Sequence, residues 1–323
     1  MQPYHTNAFL ESQYNTLLNE SGCGSLACLR GLSQSELENA TTATYSTAYS
    51  NGLYAYGDFY FGPSIDGTII QDLPSVEFDK GHFSKVPLMI NHDAFEGAPN
   101  LSALSTFSNA ATGILFTNFS TTSLEELEQT LQRSWDSPTA QFWEGLAEVY
   151  PVSSFEESSY YEDPFFQSIA FLLLTIIGPL AIPGVDPPLW QAQQINGDAN
   201  INCPTYYFAA AADRYNTPSY KSVFDAGVYV HAAADFPVFT PQIFTVDTSV
   251  TTAVKDYLLS FIVYLDPNTF PSVSNQTRID WPTYKQGNFT ILTFQDTTIF
   301  PSKDPDASDR CDFLHSQSSI VRN

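Results

Sequence analysis

Five histidines, His5, His82, His92, His231 and His315, can exchange a proton near neutrality, because the ordinary imidazole pKa is about 6.5. A histidine becomes a catalytic base when a carboxylate fixes its tautomer. Glu96 stands in a polar loop after the apolar run Val86-Pro87-Leu88-Met89-Ile90. Taken alone, it reads first as a solvated loop acid. His231 precedes Asp235 and the run Phe236-Pro237-Val238-Phe239. Taken alone, a histidine in such a place is more often structural. His92 lies near Glu96, but too near along one loop to meet it through a serine relay. His82 and His92 are read as surface residues, and His5 and His315 lie near the ends. Asp93 either supports the Glu96 loop or is exposed. One motif that presents a serine nucleophile is the G-x-S-x-G turn, and the 323 residues contain none. The nearest approaches, Gly31-Leu32-Ser33-Gln34-Ser35 and Gly62-Pro63-Ser64-Ile65-Asp66, do not fit. The four cysteines, Cys23, Cys28, Cys203 and Cys311, form no C-x-x-C pair. No Cys/His group has zinc-ligand spacing, so neither a metal site nor a cofactor is expected.

These residues need elements to hold them. Ser123-Leu124-Glu125-Glu126 fits a capping box, and Leu124, Leu127 and Leu131 follow at helical spacing. Val254, Tyr257, Leu258, Phe261, Ile262 and Leu265 form the stripe of a second helix. It should stop at Asp266-Pro267-Asn268, since proline disfavours helix in the residue before it. A third helix is expected from Cys203-Pro204, where proline suits the first turn, and a fourth over roughly 140–149. Val86–Ile90 and Ser222–Phe224 read as short buried strands. Strand, acidic loop and helix in succession is the rhythm of a mostly parallel sheet. Ligand chemistry in such sheets lies beyond the carboxyl ends of the strands. The apolar stretch from Phe165 to Val185 approaches membrane-spanning length. Gln167, Ser168, Gly178-Pro179 and Pro183 interrupt it, and an insertion is the better reading.

Hydrophobic residues make up 43% of the chain, which excludes a disordered polymer. Twelve basic against 35 acidic residues leave a net charge of −23. Such a chain repels phosphate backbones and anionic membrane surfaces, so neither a nucleic acid nor a membrane is an expected partner. Six N-x-S/T sequons, at Asn19, Asn39, Asn100, Asn118, Asn275 and Asn288, point to a secreted glycoprotein. The even cysteine count points the same way. Met1-Gln2-Pro3-Tyr4-His5 has neither the basic nor the apolar region of a signal peptide.

A family resemblance joins these observations. Ser21-Gly22-Cys23 and Leu26-Ala27-Cys28-Leu29-Arg30 resemble the short disulfide loop of type-B carboxylesterases and lipases, a family that includes secreted fungal lipases and cholinesterases. Gly81-His82-Phe83-Ser84-Lys85-Val86-Pro87 resembles the family strand that leads into the acid loop, here Asn91-His92-Asp93-Ala94-Phe95-Glu96-Gly97. Gly197-Asp198, Cys203-Pro204-Thr205-Tyr206, Asp266-Pro267-Asn268, Trp281-Pro282-Thr283-Tyr284 and Arg310-Cys311-Asp312-Phe313 follow in the family's order. The resemblance covers nearly all of the chain except about 166–190, read as an insertion or an unspliced intron.

The resemblance implies an α/β-hydrolase fold, with residues 1–323 the C-terminal part of a single type-B carboxylesterase domain that carries the C-terminal part of its mostly parallel sheet with flanking helices. It implies Glu96 as catalytic acid, His231 as base and Cys23–Cys28 as a disulfide, leaving Cys203–Cys311 as the second pair. The implied substrate is a small-molecule carboxylic ester or a lipid. Two positions depart from the pattern: Phe95 stands where the family usually has Asp, and His231 to Asp235 spans four residues rather than the common three. The serine elbow is absent, and Met1-Gln2 resembles the strand after the nucleophile helix. The expectation is therefore the C-terminal part of a longer secreted esterase, inactive alone. The alternatives are a non-catalytic cholinesterase-like interaction protein, a truncated pseudo-enzyme, or an unrelated secreted binding protein.

Overall fold

The computed structural model describes residues 4–53, 60–97, 124–135, 137–155, 187–226, 247–269 and 278–323. Three helices lead: α1 (Asn7–Ser21), α2 (Leu26–Gly31) and α3 (Gln34–Ser50). Each begins on a hydroxyl that accepts one of the orphan backbone N–H groups of the first turn. Thr6 accepts from Phe9, Ser25 from Cys28, and Ser33 from Glu36 in a full capping box. The Cys23–Cys28 disulfide closes the turn between α1 and α2. Helix α4 (Pro74–Lys80) then precedes the first strand.

Among the described residues four strands form one sheet in the order β1 (Leu88–Asp93), β2 (Ser219–Asp225), β3 (Thr290–Gln295) and β4 (Ile299–Lys303). The first three run parallel, and β4 returns antiparallel to β3. Strand β1 begins two residues later than the apolar run implies and ends three later. Pro87 has no N–H for the ladder, and Leu88 makes the first bond, to the Pro218 carbonyl. At the far end Asn91, His92 and Asp93 carry on the strand. The polar side chains of His92 and Asp93 are buried, with 4% and 6% of their surface exposed.

Alternation along β2 divides the packing. Tyr220 and Phe224 face α9 (Thr248–Tyr264) with Tyr257, Trp281 and Phe294. Val223 faces the other way, with Ile90, Ile291 and Tyr284, onto Ala209 and Ala210 of α8 (Cys203–Arg214). A third cluster joins α5 (Leu124–Ser134), α6 (Ala140–Val149) and α7 (Pro187–Gly197) to α10 (Asp309–Ser316) through Leu131, Phe142, Leu146, Ile195 and Leu314. The Cys203–Cys311 disulfide crosses that cluster, both cysteines fully buried. A single π-helical turn, Asp198–Asn202, links α7 to α8, and a last turn α11 (Ser318–Val321) follows α10.

The four expected helices are present. Helix α6 has the expected bounds, α8 starts at Cys203, and α9 ends at Tyr264, just before Asp266-Pro267. Ser123, the expected cap of α5, lies outside the described residues, as do Phe165 to Val185. Among the described residues no helix is long and apolar enough to cross a membrane.

Candidate active site

Parallel pairing brings the carboxyl ends of β1 and β2 together, with Asp93 opposite Phe224. The Ala94 N–H donates to the Phe224 carbonyl at 3.0 Å and ties the turn after β1 to β2. Glu96 lies in that turn and is buried, 7% exposed. Its Oε1 accepts the Asp93 backbone N–H at 2.7 Å. The next residue has no room for a side chain. A Cβ built on Gly97 would stand 1.7 Å from the Gln193 carbonyl oxygen of α7, and one on Gly197 would stand 2.8 Å from the Gly97 nitrogen. The acid loop is thus pressed onto the last turn of α7, backbone against backbone.

The π turn that follows is held by a buried carboxylate. Asp198, 0% exposed, accepts from the Tyr150 hydroxyl at 2.8 Å, Arg310 Nε at 2.9 Å, Gln194 Nε2 at 2.7 Å and Asn202 Nδ2 at 2.9 Å. Burial, then the Asp198 charge, push the Tyr150 hydroxyl far above its ordinary value, so it stays a donor.

A second charged group lies under β1. Lys221 points from β2 to the α8 side, its side chain fully buried. Its Nζ donates to Asp304 Oδ1 at 2.6 Å and Asp306 Oδ2 at 2.5 Å. Tyr284 adds its hydroxyl to Asp304 Oδ2 at 2.8 Å. His92 places Nε2 2.7 Å from Asp306 Oδ2 and Nδ1 2.8 Å from the Asp93 carbonyl oxygen. Burial alone would lower the imidazole pKa, but the charge and hydrogen bond of Asp306 outweigh it and hold it above its ordinary value. Burial alone would raise the Asp306 carboxyl, but Lys221 and His92 together hold it well below the usual carboxylate range. Asp304 is shifted the other way, upward, by burial.

A sequence profile of the carboxylesterase family matches residues 2–314. The chain belongs to the carboxylesterase family. Among curated family relatives, secreted lipase 1 of Botryotinia fuckeliana (strain B05.10) is 26% identical over 288 residues, 85% of this chain and 43% of its own length. Lipase 2 of Diutina rugosa is 36% identical over 104 residues, 30% of this chain and 18% of its own. The chain thus spans less than half the length of these curated relatives. Of solved structures, Aspergillus niger EstA superposes with a TM-score of 0.69 at 18% identity, over 100% of this chain and 57% of EstA. The Geobacillus stearothermophilus carboxylesterase EST55 gives 0.59 at 18% identity, over 94% and 54%. The fold is the α/β-hydrolase fold, with its mostly parallel sheet and flanking helices.

Set within the family fold, the candidate residues divide. Glu96 lies at the carboxyl edge of the sheet. His231 and Asp235 lie outside the described residues. His82 is exposed, as expected. His92 corrects the reading of a surface residue: it is buried against Asp306. Asp93 supports the acid loop through its backbone. Asn19, Asn39 and Asn288 are exposed, whereas Asn100, Asn118 and Asn275 lie outside the described residues. Among the described residues no cluster of three or more His, Cys, Asp or Glu side chains could hold a metal ion. Sequence reasoning missed Lys221, Asp304 and Asp306. A lysine amid the apolar residues of a strand, with two acids near the chain's end, was the available signal.

Proposed function

We propose that the chain carries the acid and base of a serine ester hydrolase, with Glu96 orienting His231 and His231 moving the proton of a serine nucleophile. The observation that supports this best is the parallel pairing of β1 and β2, with Glu96 buried in the turn after β1. His231 follows six residues after β2 ends at Asp225, so both loops start from one edge of the sheet. In that role Glu96 would take one imidazole N–H, fix the tautomer and stabilise the imidazolium as the other ring nitrogen takes the serine proton. A small-molecule carboxylic ester or lipid, attacked through an acyl-enzyme, is the substrate class. Extracellular action on a glycosylated form fits the sequons and the secreted relative.

The 323 residues contain no G-x-S-x-G, so as they stand they are expected not to turn over an ester. The test begins with the gene. An in-frame segment upstream of the Met1 codon that carries the elbow and a glycine-rich oxyanion segment would supply the rest of the enzyme. In the protein so extended, Glu96→Gln and His231→Ala should each lower kcat on p-nitrophenyl butyrate by about 10⁴-fold. Full activity in either variant would refute the role given to that residue. A gene without such a segment would leave a non-catalytic interaction protein as the reading.

A further inference from the structure

We propose that His92 is held as a doubly protonated imidazolium between Asp306 and the Asp93 carbonyl, and that in this form it is the positioning residue for the Glu96 loop. The proposal rests on reading Glu96 as the catalytic acid. The imidazole is fixed by what its two nitrogens face. Nδ1 lies 2.8 Å from a backbone carbonyl oxygen, which can only accept. Nε2 lies 2.7 Å from Asp306 Oδ2, an oxygen that also accepts from Lys221. A neutral imidazole has one N–H and one lone pair. Either tautomer would aim that lone pair at an acceptor oxygen in a site with 2% and 3% side-chain exposure. With Asp306 ionised, as the Lys221 ammonium on the same oxygen requires, only the form with two N–H groups satisfies both sides.

The charges around the ring agree. The groups that meet His92 or its partner are Asp306 and Asp304 from the loop after β4, Lys221 from β2, and Tyr284 from the segment before β3, which bonds Asp304; Arg310 of α10 and Tyr207 of α8 also feel the Asp306 charge without bonding it. Two buried carboxylates share the one Lys221 ammonium, and a protonated imidazole gives Asp306 a second bonded cation, since the Arg310 guanidinium is bonded to Asp198 instead. On its own strand, His92 is followed by Asp93, whose N–H bonds Glu96.

That last contact makes the cluster more than a buried salt bridge. The peptide joining Asp93 to Ala94 is held at both ends: its carbonyl accepts from His92, and its N–H donates to Phe224 of β2. One residue earlier, the N–H of Asp93 donates to Glu96 Oε1. The ring therefore fixes the backbone that fixes the carboxylate. Loss of the imidazole proton removes one of its two bonds and turns a lone pair on an acceptor. The strut then loosens, and the Asp93–Glu96 hydrogen bond with it.

The experiment is a pH titration of the chain with ¹⁵N-labelled histidine, in which His92→Gln assigns the signal. We expect His92 to show two protonated nitrogens at neutral pH and to titrate above the ordinary value of about 6.5. Above that titration the Asp93 amide should exchange with solvent about ten-fold faster than base catalysis alone predicts, as for loss of one hydrogen bond. In His92→Gln the extra pH dependence should vanish. A single protonated nitrogen at neutral pH, or an Asp93 amide indifferent to the titration, would overturn the proposal. The wild-type titration stands even if the variant fails to fold. Ester turnover is read separately. Two protonated nitrogens and a linked Asp93 amide, with Glu96→Gln unaffected in an active extended protein, would sink the esterase role of Glu96 and leave the strut supported.

Discussion

At Gly97 the acid loop has no tolerance. A methyl group there would stand 1.7 Å from the Gln193 carbonyl oxygen, which belongs to the backbone and cannot swing away. Gly97→Ala should therefore move the whole loop off α7, costing about 1–3 kcal/mol by overpacking, seen as a lower urea midpoint. Lys221→Met tests a different force. It leaves Asp304 and Asp306 facing each other, fully or almost fully buried, without their ammonium. Breaking a buried pair from one side costs about 3–5 kcal/mol, so the variant should unfold at a much lower denaturant concentration. A loss below 1 kcal/mol would mean that the carboxylates find water or a proton. Glu96 could be singled out in the sequence because its neighbours read in a family order, and its burial after β1 is what the structure adds. His92 could not: two polar neighbours, Asn91 and Asp93, give it the look of a loop residue. Its acid partner, Asp306, is 214 positions away, beyond the reach of any local pattern.

At the level of elements, the helices that sequence disclosed are those with a strong apolar stripe or a proline start: α5, α6, α8 and α9. The leading helices α1 and α3 were missed because few of their side chains are buried, so no apolar stripe marks them. Their caps, Thr6 and Ser33, were the signal. Strand β3 was missed although Thr290-Ile291-Leu292-Thr293-Phe294 has β-branched and aromatic character. Strand β2 was legible only at its apolar end, since Lys221 interrupts the run. The two disulfides belong to this scale and should not be equal. Cys203–Cys311 spans 108 residues and joins α8 to α10, whereas Cys23–Cys28 spans five. By loop-closure entropy the first contributes about 4–5 kcal/mol and the second about 2. Cys203→Ala with Cys311→Ala should lower stability well beyond Cys23→Ala with Cys28→Ala, measured by thermal melting of the two double variants side by side. Equal losses would place the stabilising effect in local packing rather than in the constrained unfolded chain.

Across the whole molecule, two kinds of electrostatics act together, and salt separates them. The net charge of −23 drives self-repulsion that grows as the remaining cations titrate. Surface repulsion of this sort is screened once the Debye length falls to about 3 Å near 1 M salt. The buried group responds to pH in its own way. His92 has a folded pKa raised above its unfolded value. Its contribution is fully present below about pH 6.5 and is lost as pH rises through the folded value. Asp306 has a lowered folded pKa, so its contribution is present above about pH 3.8 and is lost as pH falls toward that folded value. Asp304, pushed upward by burial, offsets part of the acid-side effect. Stability should therefore be greatest between these two ranges. On the alkaline side it should fall by up to about 1.4 kcal/mol per pH unit while His92 titrates. Molar salt should remove the part due to net charge and leave the part due to His92, because the imidazole is out of reach of counterions. Urea midpoints across pH at low and high salt, for the wild type and His92→Gln, would read both. A slope abolished by salt in the wild type would assign the alkaline loss to the surface alone. A slope that survives salt and disappears in His92→Gln would assign it to the ring beneath β1.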